Sequence, residues 1–416
     1  MFLFFLLLIA LPAFGQSLDP GAIGRAGTHD LSIKSGSALL WNPAVLAQTK
    51  DFRVSWELPS ITGSVANNAF SVRYWNNQIA SDTFFDEGEK QAILDRIPNN
   101  GWRANLQGSV PALGFTYNRF GFNASVEAAE SANAPRELVR LAMMGNEIDR
   151  NIAFGHVAND AQIYGDYSVG FGYKFDQEVM PELLFGVGFH FYQGFWLLKV
   201  IRSDVNLLTT HEAMYTSGII QTVTSTAGDG VGFDLGGMAT LSDKWQVGLA
   251  FQQLGARMTW QVKENHQLSF YTDSAGVAWG DERLGSSDFV DSVLHKEDYK
   301  YPGGEVETTL SPVMQLNGRY LPNPKWTILG DVSARFRESV KGPAGLDVAV
   351  ASEYRTLPGL VLESGLGLGN LWGPRIGVGA GLRFNLYELD AGWCWNGGLF
   401  NNARGAAFGL TQRLNF

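Results

Sequence analysis

Asp347, Glu353, Glu363, Arg375, Arg383, Glu388 and Asp390 recur near the C-terminus on alternate positions of successive short segments. Residues two apart share one face of a strand, and neighbouring strands bring such faces together, so the chemistry on offer is cross-strand ion pairing. It would serve as a structural network or as a charge filter for a small solute. Catalysis finds less support. The histidines (His29, His156, His190, His211, His266, His295) lack the His-Glu-x-x-His spacing, Cys394 stands alone, and no Gly-x-Ser-x-Gly elbow occurs. Between 264 and 306, Asp273, Asp281, Glu282, Asp288, Asp291, Glu297 and Asp298 form an acidic loop, but their spacing matches no calcium loop. Gly377, Gly379 and Gly381 alternate within one segment and precede no helix, unlike a phosphate loop. The sequence therefore predicts no catalytic residue, no metal site, no cofactor and no enzymatic activity.

The elements that must carry those charges are strands. Leu346, Val348, Val350 and Tyr354 alternate with Asp347, Ala349, Ala351 and Glu353; the pattern repeats over 360–368, 375–384 and 387–395. One face holds Leu, Ile and Val with Trp and Tyr toward the ends, while the other holds Gly, Ser and isolated charges. A soluble sandwich needs a second sheet over its apolar face, whereas a transmembrane barrel turns that face to lipid and ends it in aromatic girdles. With 49 Gly, 27 Phe, 13 Tyr and 12 Trp among 416 residues and only 17% charged residues, the composition fits an all-β, single-chain transmembrane antiparallel barrel.

Similar segments occur at 52–58, 70–75, 102–118, 120–128, 164–175, 183–207, 214–224, 231–241, 245–263, 310–320 and 326–337, and the last is 406–416. These come to about sixteen; because weak segments merge, the expectation is about 14 strands, within 12 to 16. Two insertions read as short helices: Asp86 to Pro98, where Asp86 and Glu89 have capping-box spacing, and Pro135 to Asn146, stopped by Gly145. The loop between 264 and 306 reads as extracellular.

Residues 1–15 (MFLFFLLLIALPAFG) read as a signal peptide, too short to span a bilayer. A net charge of -10 and a pI near 5.2 leave no basic stretch for nucleic acid. Residues 16–50 precede the barrel, 51–416, and contain the apolar cluster of ALLWNPAVLA. Such a peptide cannot face lipid with open backbone groups, so it is expected to fold into the lumen.

Asn42-Pro43-Ala44, behind a Gly/Ala-rich start and before a barrel, resembles the N-terminal hatch of the long-chain fatty-acid transporter superfamily of outer membranes. The ordered blocks ALLWNPAVLA, KQAILDRIPNNG, ELVRLAMMGN and FQQLGARMTW are similar to Bacteroidota barrels in that neighbourhood, which include the type IX secretion shuttles. The resemblance implies a hatch turn at Asn42, Pro43 and Ala44, with Trp41 and Leu46 facing a hydrophobic ligand. It implies that Pro111, which interrupts the third segment, marks a lateral opening. Phe416 at the terminus resembles the signal by which outer-membrane barrels meet the barrel-assembly machinery. The implied function is passive uptake of a fatty-acid-like hydrophobic molecule across the outer membrane of a Gram-negative bacterium, with membrane lipid as surroundings. The alternative is a shuttle barrel holding an exported protein on an apolar loop surface around Phe270, Trp279 and Phe289.

Overall fold

A computed structural model describes residues 19–50, 52–80, 85–155, 157–175, 182–272, 277–278, 294–369 and 373–416. The signal peptide expected over 1–15 lies outside the described residues, as do His156, Asp273, Trp279, Asp281, Glu282, Asp288, Phe289 and Asp291.

Alternation of outward aliphatic and inward small or polar side chains produces fourteen antiparallel strands that close into a barrel. Strand β1 is Val54–Glu57 continued by Ile61–Asn67, β2 is Trp102–Tyr117, β3 is Phe120–Ala134 and β4 is Ala158–Phe175. Next come β5 (Leu183–Thr209), β6 (Ala213–Ser242) and β7 (Trp245–Thr272). Strand β8 has three stretches, Leu294–Pro302, Glu305–Thr309 and Val313–Asn323. The rest are β9 (Trp326–Arg335), β10 (Gly345–Leu357), β11 (Leu360–Gly369), β12 (Gly373–Arg383), β13 (Tyr387–Asn396) and β14 (Gly405–Asn415). Each pairs with the next, and β14 returns to β1 through Ser55–Asn415 and the run from Ile61–Leu410 to Ala66–Gly405. Closure satisfies every edge, which lets a sheet sit in hydrocarbon.

The outward face is the apolar belt: Leu346, Val350 and Leu366 are 57, 54 and 62% exposed, while Ala349, Glu353 and Glu363 on the inner face are nearly covered. Trp245 stacks on Tyr320 (4.3 Å) and Trp326 packs tilted against Tyr354 (4.6 Å) at the end with the short turns. Strands β5 to β7 have 27, 30 and 28 residues, against about 9–11 for a crossing. Their far halves therefore stand beyond the belt, on the side of the long connections.

Two differences from the sequence reading together account for sixteen segments becoming fourteen strands. Residues 70–75 alternate like a strand, but Asn67 accepts from Ala69 N and Phe70 N and Ser71 accepts from Tyr74 N, giving helical turns at Val72–Tyr74 and Trp75–Ile79. Segments 214–224 and 231–241 are one strand, β6, whose bulges near Ser225 absorb the polar interval between them. The acidic stretch read as loop over 264–306 is partly strand: Leu294–Pro302 pairs residue by residue with Thr272–Glu264 of β7. Both expected helices form: Glu87–Arg96 with the reciprocal Asp86–Glu89 capping box, and Arg136–Met144 ended by Gly145 at φ 77°. They pack together over the long-connection end through Ile93, Leu94 and Val139.

Candidate functional site

Inside the barrel runs residues 19–48, folded as three single-turn 3-10 helices, Pro20–Arg25, Gly36–Leu40 and Pro43–Ala47. Short turns suit a peptide rich in Gly, Ala and Pro, which has too little length to nucleate an α-helix. Asn42 caps the third turn by accepting from Ala44 N at 3.0 Å, and Pro43 occupies its first position. The wall is carved to match. A Cβ on Gly24 would lie 2.7 Å from Gly379 Cα of β12, and one on Gly186 of β5 would fall on the Pro43–Ala44 peptide.

Trp41 and Leu46 are both buried and pack against protein in this conformation. The Trp41 ring stacks on His29 at 4.9 Å, and its carbonyl accepts from Gln252 Nε2 at 2.7 Å. Leu46 lies against Gly121 of β3.

Charged groups also tie the segment to the wall. Arg25, fully buried, reaches Glu353 Oε1 at 2.6 Å and Glu363 Oε1 at 3.8 Å. Asp30 meets Arg319 at 2.8 Å, and Asp331 accepts from His29 N at 3.0 Å. Glu57 of β1 accepts from Ser37 N at 2.7 Å. The charges picked out from the sequence continue the same network. Arg383 joins Glu353 (2.9 Å), Glu363 (2.9 Å) and Asp390 (3.3 Å), and Arg413 joins Glu388 (3.0 Å) and Asp390 (2.9 Å). Arg375 pairs with Asp347 a little farther along the lumen and donates to Ala26 O.

Sequence reasoning missed Arg25, Asp30, Arg319, Asp331 and Arg413. A signal was present: the inward set it named holds five carboxylates and two arginines, and buried charges must find partners.

Above the segment the lumen is occupied again. Tyr164, Tyr192, Leu197, Val223, Met258, Trp260 and Leu310 form one buried cluster, with Trp260 Nε1 donating to Thr308 Oγ1 at 2.9 Å. Below it His190 sits between Asp166 (2.8 Å) and Asp234 (3.2 Å). The connection between β9 and β10 dips inward, so that Val340 O accepts from Asn105 and Lys341 meets Glu127 at 3.3 Å.

Pro111 lies at a defect in the wall. Between the pairs Glu57–Gly114 and Thr62–Ser109 the β1–β2 ladder is interrupted, and Ser60 N donates to Pro111 O across the interval. Strand β1 has one residue too many against β14 here, in Leu58-Pro59-Ser60, and β2 has one too many against β3, Ala112. Pro59 and Ala112 both point outward. Phe416, at the opposite end of the chain, is exposed, and its backbone seals the barrel by exchanging hydrogen bonds with Arg53 and Val54.

A model of a family of unknown function, DUF5723, matches residues 43–389. No curated protein matches. Among solved structures, the chain is similar to a deltaS2S3 mutant of the monoaromatic hydrocarbon channel TodX, with TM-score 0.53 and 13% identity over 96% of this chain and 99% of that one. It is similar to the Pseudomonas putida toluene transporter TodX (TM-score 0.51, 11% identity, 98% of this chain and 100% of that one). A Pseudomonas aeruginosa FadL homologue gives TM-score 0.50 and 14% identity over 97% of this chain and 100% of that one. At these identities the likeness is one of fold: a FadL-type barrel.

Proposed function

The chain belongs to DUF5723, a family of unknown function, and from that premise we propose that it is an outer-membrane channel of a Gram-negative bacterium for passive uptake of hydrophobic small molecules. The observation that carries this reading is the matched pair of bulges at Pro59 and Ala112, set in the wall beside a filled lumen. A closed sheet has no reason to give up ladder bonds in hydrocarbon unless the break serves something, because each unpaired group there costs several kcal/mol. Beside a lumen plugged by residues 19–48, the break is an exit that leads a greasy solute into the bilayer without crossing water.

In this reading Asn42, Pro43 and Ala44 form the hatch turn and Trp41 and Leu46 its apolar body, which must shift to admit a ligand. Asp347, Glu353, Glu363, Arg375, Arg383, Glu388 and Asp390 hold the hatch to the wall rather than select ions. The cargo class is fatty-acid-like or monoaromatic, the latter supported by the toluene transporters that share the fold. Downhill movement needs no cofactor and no catalytic group. Phe416 is the assembly signal for the barrel-assembly machinery.

The bulges make a sharp test. Deleting Pro59 and Ala112 together with Pro111→Val equalises the residue count on β14–β1, β1–β2 and β2–β3 at once and keeps every inward residue inward. The straightened barrel is expected to fold at least as stably, and its uptake of toluene and laurate in proteoliposomes is expected to fall to that of protein-free vesicles. Undiminished uptake by this variant would remove the lateral exit.

A further inference from the structure

At the end with the short turns, where β10 meets β11 and β12 meets β13, a cavity of about 640 Å³ opens between the N-terminal segment and the barrel rim. Its lining includes Lys34, Arg355, Arg383 and Lys50, which has an interaction of its own, with Glu388 as the one acidic side chain. That carboxylate is already taken by Arg413 and Asn415, and Arg383 is held by Glu353 and Glu363. Lys34 is the unusual member. It is 94% buried, its Nζ donates to Gln48 O at 2.8 Å, and among the described residues no carboxylate lies within 4 Å of it. Burial, then repulsion by Lys50 and Arg119, pulls its ammonium down to about 8. An ammonium with donors to spare, surrounded by other cations, in a chain of net charge -10, is costly unless an anion visits.

The rim around this basic floor is apolar: Leu357, Phe384 and Phe416 are 65, 53 and 57% exposed at the edge of the lipid-facing belt. Short turns of outer-membrane barrels face the periplasm, so the rim borders the inner leaflet. We propose that this vestibule is a phosphate-binding site, with Lys34 and Arg355 gripping the anion and the apolar rim accepting the tails when the phosphate belongs to a lipid headgroup. A multiply charged oxyanion suits several cations converging from different elements, and Lys and Arg are the residues that meet phosphate. The site is independent of what passes the plug.

The test uses the full folded barrel in a nonionic detergent, with native mass spectrometry counting retained phosphatidylglycerol, phosphatidylcholine and inorganic phosphate. Wild type is expected to retain one phosphatidylglycerol in preference to phosphatidylcholine by roughly tenfold or more, the worth of one or two charge-assisted contacts. The Lys34→Gln/Arg355→Gln variant is expected to lose that preference and Lys34→Arg to keep it. The preference also weakens between pH 7 and 9, as Lys34, which shares the vestibule with Lys50, Arg355, Arg383 and Glu388 and lies near Arg119, loses its proton. Competition by inorganic phosphate assigns recognition to the phosphate itself, and absence of competition assigns it to the intact lipid headgroup. Equal retention of both lipids by wild type, or an unchanged preference in the double variant, overturns the proposal. If the double variant does not fold, Arg355→Gln at the exposed rim carries the same comparison. Retention is counted without flux, so a barrel that binds phosphatidylglycerol but moves no toluene would contradict uptake and leave this site standing.

Discussion

Arg25→Ala is expected to unseat the N-terminal segment from the barrel. Removing this guanidinium leaves Glu353 and Glu363 buried with Arg383 alone between them, where Arg25 contributed a 2.6 Å contact. Stripping one partner from a buried ion network costs about 3–5 kcal/mol, against which the rest of a 30-residue segment of small side chains has little in reserve. The barrel itself keeps its ladders and stays closed. The N-terminal segment of the variant is expected to become open to protease where that of wild type resists, while the Tyr164–Trp260 cluster still fills the lumen above it. Adding Glu363→Gln to Arg25→Ala should restore part of the lost stability, since one carboxylate is then removed for the one guanidinium lost and Arg383 keeps Glu353 and Asp390. A variant that stays resistant would show that Asp30–Arg319 and Ser37–Glu57 suffice to hold the segment.

Gly186→Leu is expected to reach the same state by steric means. Any side chain here lands on the Pro43–Ala44 peptide, and neither backbone can yield while β5 remains paired on both sides. Overpacking typically costs about 1–3 kcal/mol, and the weakest partner moves. The weakest partner is the hatch turn. Gly237→Ala on the neighbouring strand is the control, because its Cβ would meet nothing nearer than Leu249 O at 3.9 Å. Equal protease resistance of the two variants would mean that the fit between the wall and the Pro43–Ala44 turn is not what seats the segment.

The barrel was legible because an outward apolar face and a polar interior impose a period of two on strand after strand, as in Leu346 to Tyr354. Its count was blurred where local hydrogen bonds override alternation, at Asn67 and Ser71, and where bulges hide continuity, near Ser225. The inward charges were visible as residue types, but their partners were not. Arg25 sits in a run of Gly and Ala that advertises nothing, and Glu353 and Glu363 reach it only because closure brings β10 and β11 to the first turn of the N-terminal segment. His190 showed no partner in the sequence for the same reason: the register of three strands is what brings Asp166 and Asp234 to it. Pro111 could be read as a break from its missing donor. That Pro59 matches it needed the pairing of β1 with both of its neighbours.

The most direct test of the account is the flux of laurate and of glucose measured side by side in the same proteoliposomes. A plugged barrel with a lateral exit passes laurate faster than protein-free vesicles and leaves glucose where it was. Accelerated glucose would make the barrel an open pore, and acceleration of neither would contradict uptake altogether.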